Sequence, residues 1–181
     1  VLSEDVAIVG DTDQNEVVAV SLKSGKVAWR FSTGGRMDTS PTVYKGLCLV
    51  ADHTGYVSAL KVHTGELVYR LRIAPDEKRM LSHGKVESVW PVIGGVLVAN
   101  GKAYATAGRT QGSDGGLIVR AFAPETGDPV WARAIPQTGN GVQGGKAKRN
   151  DALILENGLL RLMDHYLNAD TGVIVPSPTT L

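Results

Sequence analysis

The amino-acid sequence predicts an all-β fold: a β-propeller of four-stranded antiparallel blades, about four of them, forming a partial ring or one shared between chains. Three observations carry this. A motif recurs as Ala19-x-Ser21-x-x-Ser24-Gly25-x-x-x-Trp29, as Ala59-x-Lys61-x-x-Thr64-Gly65-x-x-x-Tyr69 and as Ala121-x-Ala123-x-x-Thr126-Gly127-x-x-x-Trp131, with a decayed fourth copy, Tyr166-x-Asn168-x-x-Thr171-Gly172-x-x-x-Pro176. The turn glycines stand 40, 62 and 45 residues apart, and a period near 40 is that of one blade. Between them, Val, Tyr and Leu fill short runs while Gly, Asp and Thr fill the breaks, the pattern of strands joined by hairpins.

The first blade, residues 1–35, reads as a hairpin of Asp5–Gly10 and Glu16–Leu22 followed by Lys26–Ser32; the innermost strand expected before Asp5 has no counterpart. The second, 36–74, is complete, with strands Pro41–Tyr44, Gly46–Ala51, Tyr56–Val62 and Glu66–Ile73. Ser40-Pro41 opens it, because proline gives up a ladder donor that a first residue does not need. Gly55 and Gly65 serve tight turns, and the aromatic four residues past the motif glycine sits on the outer strand, able to pack on the neighbouring unit. A polar insertion follows at 74–89, with a helical turn expected around Pro75–Met80, where Asp76 and Glu77 come early and Lys78 and Arg79 late.

The third blade, 86–136, opens at Trp90-Pro91-Val92 and bends at Gly94-Gly95. Val96–Ala99 and Lys102–Ala107 pair across Asn100-Gly101, and the loop from Gly108 to Gly116 leads to Leu117–Ala123 and Pro129–Ile135. A glycine-rich insertion, 137–149, reads as a flexible or ligand-ordered loop. The fourth blade, 150–176, holds Asp151–Glu156, Leu159–Asp164, His165–Asn168 and Gly172–Val175. An open set of four blades leaves strand edges and blade faces uncovered, so the ends meet in a small ring or other polypeptide completes it. The second is favoured because the C-terminal unit departs most from the pattern; a piece of a longer protein fits equally well.

Composition excludes several classes. Nineteen basic against 18 acidic side chains give a formal charge of +1, no electrostatic footprint for nucleic acid or an anionic membrane. No apolar run reaches the ~20 residues of a membrane helix, and no basic-then-apolar leader is present, so an exported protein would be in its mature form. Cys48 is the one cysteine, alternates inward, and reads as a small buried side chain.

The repeats resemble the tryptophan-docking units of the pyrroloquinoline-quinone-like β-propellers over nearly the whole chain. That superfamily includes quinone-dependent alcohol and sugar dehydrogenases, a scaffold lipoprotein of outer-membrane protein assembly, and many exported proteins. The stretch from Gly84 to Pro91, with Ala107-Gly108-Arg109 and Asp114-Gly115-Gly116, looks more like large exported propellers of environmental bacteria. The resemblance implies a periplasmic or extracellular location and makes Trp29, Tyr69, Trp131, Gly25, Gly65 and Gly127 structural docking residues. The repeat's aspartate is replaced by Ser21, Lys61, Ala123 and Asn168, so looser docking is expected.

An enzyme of this kind needs a stacking platform, calcium held by oxygens and a carboxylate base. Trp90 and Arg109 are the candidates for the quinone, and Glu87 and Asp114 for the catalytic carboxylates. The plainer reading makes Trp90 a packing residue and pairs Arg109 with Asp114 in the loop. Asp11-x-Asp13-x-Asn15 starts like a calcium loop but lacks its glycine and distal glutamate, so a hairpin turn is expected and no metal is assigned. His53, His63, His83 and His165 lack partners at metal-ligand spacing. The sequence points to a non-catalytic binding or scaffolding module, without cofactor, for a protein partner or the remaining blades. Its contacts lie on the loops carrying Arg79, His83, Lys85, Glu87, Arg109, Lys146, Lys148 and Arg149. The alternative is part of a dehydrogenase using pyrroloquinoline quinone and calcium.

Overall fold

The computed structural model describes residues 1–3, 5–82, 84–136 and 150–178, and these are all-β. Blade 1 is β1 (Leu2–Ser3), β2 (Val6–Asp11), β3 (Glu16–Ser21) and β4 (Val27–Ser32); blade 2 is β5 (Thr42–Tyr44), β6 (Leu47–Ala51), β7 (Tyr56–Lys61) and β8 (Leu67–Arg72). A two-stranded excursion, β9 (Arg79–Ser82) and β10 (Lys85–Ser88), precedes blade 3, formed by β11 (Val92–Ala99), β12 (Lys102–Ala107), β13 (Gly116–Phe122) and β14 (Pro129–Pro136). Blade 4 is β15 (Ile154–Glu156), β16 (Leu159–Leu162), β17 (His165–Asn168) and β18 (Ile174–Val175). Each blade is an antiparallel meander in chain order, and the four form an open arc of a β-propeller.

Two expectations are corrected. The first blade does have an innermost strand: Leu2 pairs with Ala7 and Ser3 with Val6, a strand too short to announce itself in sequence. The stretch Pro75–Met80 is not helical. Arg79–Ser82 pairs instead with Lys85–Ser88, because Met80 and Glu87 stand opposite each other and Glu87 has buried partners. The Gly94-Gly95 bend lies inside one continuous strand as a register break between Val92 and Val96. There a Cβ on Gly94 would run into the carbonyl of Asp151.

Apolar alternation on each strand fills three inter-blade layers. Ile8, Val17, Ala19, Cys48, Val50 and Leu60 join blade 1 to blade 2. Leu49, Val57, Val96, Ala105 and Phe122 join blade 2 to blade 3, and Tyr104, Leu117, Val119, Leu160 and Leu167 join blade 3 to blade 4. Cys48 lies inside the first layer, and burial pushes its thiol up to about 12.

Trp29, Tyr69 and Trp131 each meet a motif glycine of the next blade, at Gly65, Gly127 and Gly172, whereas no described atom lies against Gly25. A Cβ added to Gly65 would lie 2.6 Å from the Trp29 ring, one on Gly127 2.8 Å from Tyr69, and one on Gly172 2.5 Å from Trp131. Each aromatic therefore seats on the glycine of the following blade and also donates a hydrogen bond there. Trp29 Nε1 bonds Val62 O at 2.8 Å, the Tyr69 hydroxyl bonds Pro124 O at 2.8 Å, and Trp131 Nε1 bonds Ala169 O at 3.1 Å. Loss of the repeat's aspartate leaves the turns closed: the amides of Gly25, Gly65, Gly127 and Gly172 each bond the carbonyl four residues back at 2.8 Å.

Candidate functional site

Strand direction reverses at every turn, so the loops after the second and fourth strands of all blades emerge at one end of the arc, and the docking turns at the other. The first end collects residues 33–41, 52–55, 74–82, 84–91 and 108–115. At its centre lies a chain of charges that runs between blades 1, 2 and 3.

His53, in the turn after β6, is almost fully buried. Its Nε2 donates to Asp38 Oδ2 at 2.8 Å, and its Nδ1 lies 3.1 Å from Glu87 Oε1, a charge contact outside hydrogen-bond geometry. Arg36 holds the other side of Asp38, with Nε 2.9 Å from Oδ1. Arg109 Nη2 donates to Glu87 Oε2 at 2.7 Å and to Ser88 O at 3.3 Å. The order is Arg36, Asp38, His53, Glu87, Arg109. Burial alone would raise the Glu87 carboxyl, but the Arg109 hydrogen bond and the close approach of Arg109 and His53 outweigh it and hold it below the usual range. Asp38 is likewise held low, burial being outweighed by His53 and then Arg36. Asp52, one residue before His53, goes the other way: burial dominates over its bonds from Thr54 and raises it.

This network is the foot of the β9–β10 hairpin. Glu87 points in from β10, the Ser88 amide bonds His53 O at 2.9 Å, and the Val89 amide closes on Lys78 O at 3.0 Å. On the opposite side the cross-strand pair Leu81 and Val86 is 72% and 58% exposed, with exposed Arg79 on the same face, while Lys85 lies on the Glu87 face. Beside β10, a cavity of about 280 Å³ is lined by Asn15, Gly34, Arg36, Lys85 and Glu87 among others.

The structure thus brings Glu87 and Arg109 together and places Arg79 and Lys85 on the same excursion. Arg109 pairs with Glu87, not with Asp114 as the loop reading had it: Asp114 is exposed in a turn at φ 55°, and its backbone carbonyl accepts from Trp90 Nε1 at 2.8 Å. Trp90 leans on the blade 2–blade 3 core and straps that loop down. His83, Lys146, Lys148 and Arg149 lie outside the described residues. The Asp11 carboxylate accepts from the amides of Asp13 and Gln14 at 3.1 and 3.0 Å, the expected polar hairpin turn. His53, Asp38 and Arg36 were missed by sequence reasoning. Counting strand reversals puts Asp52-His53 at the same end as the long insertions but does not pair His53 with Asp38 or Glu87.

The described residues do not assemble a site that fits a quinone and its calcium. Both well-placed carboxylates are bonded to guanidinium and imidazole groups instead of forming an oxygen cage, and the Trp90 ring rests on the core. Among the described residues no helix is long and apolar enough to cross a membrane.

Comparison with known proteins agrees with the repeat reading. An outer membrane protein assembly factor BamB of Legionella pneumophila (strain Paris) is 24% identical over 97 residues, 48% of this chain and 25% of that protein. That of Francisella tularensis subsp. tularensis (strain SCHU S4 / Schu 4) is 28% identical over 95 residues, 51% of this chain and 21% of that protein. The matched region thus spans about a quarter of those relatives. Among solved structures, the quinohemoprotein alcohol dehydrogenase ADHIIG from Pseudomonas putida HK5 superposes with a TM-score of 0.73 at 18% identity, over 97% of this chain and 32% of that one. Such identity shows a shared fold and nothing about the reaction. The family described as outer membrane protein assembly factor BamB matches residues 1–163, and the chain belongs to it, a pyrroloquinoline-quinone-like β-propeller repeat protein.

Proposed function

We propose that this chain is a non-catalytic binding module of a periplasmic, outer-membrane-associated assembly, and that it holds a protein partner on its loop-bearing end. The family and the relatives named for outer membrane protein assembly support this reading. The observation that carries it is the β9–β10 hairpin. Its foot is fixed by buried charges while its outer side offers apolar Leu81 and Val86 beside Arg79. Apolar side chains held in the open beside a cation suit a protein surface better than solvent. Glu87, the residue best placed to act as a base, is instead tied to Arg109 and His53.

The test is paired. Leu81→Asp with Val86→Asp removes the apolar pair at exposed positions, and stability is expected to stay within about 0.5 kcal/mol. In cross-linked envelope extracts a defined partner protein retained by the wild-type chain should be lost from the double variant. Equal retention overturns the hairpin as the contact. Native mass spectrometry showing one quinone and one calcium held per chain overturns the non-catalytic reading.

A further inference from the structure

The cavity beside β10 is walled in part by bare backbone. Gly34 and Gly35, in the loop that leads from blade 1 to blade 2, line it with main-chain atoms alone, and Arg36 continues the run. The amides of these three consecutive residues make no hydrogen bond among the described residues, and Gly34 stands at φ 81°. Successive free amides in a turn form a receptor for a negatively charged oxygen. The loop is pinned in that shape. Thr33 gives its amide and its hydroxyl to the Asn15 carbonyl at 3.0 and 2.9 Å, and the same hydroxyl lies 2.7 Å from the Gly35 carbonyl.

Charges of both signs stand round the cavity, and they do not cancel. Arg36 is matched by Asp38, and Glu87 by Arg109. Lys85, exposed on the Glu87 face of β10, has no ion pair among the described residues, which leaves one cation here without a counter-charge. Asn15 lines the cavity too, and its Oδ1 is buried with no hydrogen-bond donor among the described residues. A buried acceptor left unmatched costs stability that an arriving N–H would restore. The volume of about 280 Å³ falls just below the ~300 Å³ at which pockets for drug-sized molecules begin, so the space suits a single residue of a ligand.

We propose that this cavity receives a carboxylate of a peptide ligand, held by the Lys85 ammonium and the amides of residues 34–36, with an N–H of the same ligand residue donated to Asn15 Oδ1. A carboxylate and an N–H stand that close together at an acidic residue and at the last residue of a chain, and these are the two sources. Phosphate fits poorly. Largely a dianion at neutral pH, it would bring a second charge up to Glu87 and Asp38 with one uncompensated cation to meet it, and it has no N–H for Asn15. The inference rests on the hairpin as the partner-binding element and names the group recognised on its Lys85 side.

The test titrates the full isotope-labelled chain with three tripeptides. Acetyl-Gly-Glu-Gly-amide carries the carboxylate on a side chain, acetyl-Gly-Gly-Ala on a free chain end, and acetyl-Gly-Gln-Gly-amide nowhere. The Gly34, Gly35 and Lys85 amide resonances should shift saturably with at least one of the first two and stay in place with the third, and the tighter binder identifies the source. Lys85→Gln should weaken that binding about tenfold. Asn15→Gly, which keeps the left-handed conformation of residue 15 at φ 55°, should weaken it about threefold. Unchanged affinity in both variants overturns the proposal, as does no shift with either carboxylate peptide, or inorganic phosphate binding as tightly as the better of them. Leu81→Asp lies on the far side of the hairpin and leaves the cavity untouched. Loss of partner capture in that variant with no peptide binding ends this inference and spares the proposed function; peptide binding with capture unchanged does the reverse.

Discussion

At Gly65 and Gly25 one residue type in one backbone conformation faces two environments. Both lie at positive φ, where an L side chain costs about 1–2 kcal/mol. Gly65→Ala adds a methyl carbon 2.6 Å from the Trp29 ring and must also push that ring off its seat, for a total of roughly 2–5 kcal/mol. Gly25→Ala meets open space and should lose only the backbone share. Urea unfolding of the two variants measures the difference, and equal losses would mean that the ring contact contributes nothing. These positions were legible because the motif is local: a glycine, an aromatic four residues on, and the same spacing again. His53 was not legible. Its partners Asp38 and Glu87 come from loops far away in the chain, and no local spacing joins a turn histidine to them.

The β9–β10 hairpin shows where reading by element went astray and what holds the element in place. Pro75, Asp76 and Glu77 followed by Lys78 and Arg79 have the charge order of a short helix, yet four-residue strands carry too little periodicity to compete with that signal. What decides is tertiary: Glu87 must point inward to Arg109 and His53, which fixes the alternation of β10. Glu87→Gln should cost about 2 kcal/mol, because Arg109 and His53 keep their places and lose the opposing charge. The pH dependence follows from the direction of the shift. Glu87 and Asp38 are held below their unfolded values, so the folded state binds fewer protons. Their contribution is complete above the ordinary carboxylate range of about 4 and is lost as pH falls through the lower folded values. Asp52, raised by burial, costs stability at neutral pH and gives some of it back on acidification. Stability measured from neutral pH into the acid range should therefore fall less steeply in Glu87→Gln than in the wild-type chain.

Across the whole molecule, stability is a sum over neighbours, since each blade touches the one before and the one after. Cys48 reports on one such joint. Its thiol is fully buried between blades 1 and 2 and pushed up to about 12, so a thiol reagent at pH 8 should label it only as fast as that joint opens. Gly65→Ala, which loosens the same joint, should speed labelling by about tenfold or more, whereas Gly25→Ala should leave it near the wild-type rate. Number of blades, order of strands and the seats between them were readable from the repeat.

Strand reversal sends the described seats, glycine beneath ring, to one end of the arc and the long loops to the other. Mutation can therefore lengthen, recharge or replace the loops without disturbing a single seat, and a seat can be mended without altering the face shown to a partner. Such a chain can change its company over generations while its joinery stays the same.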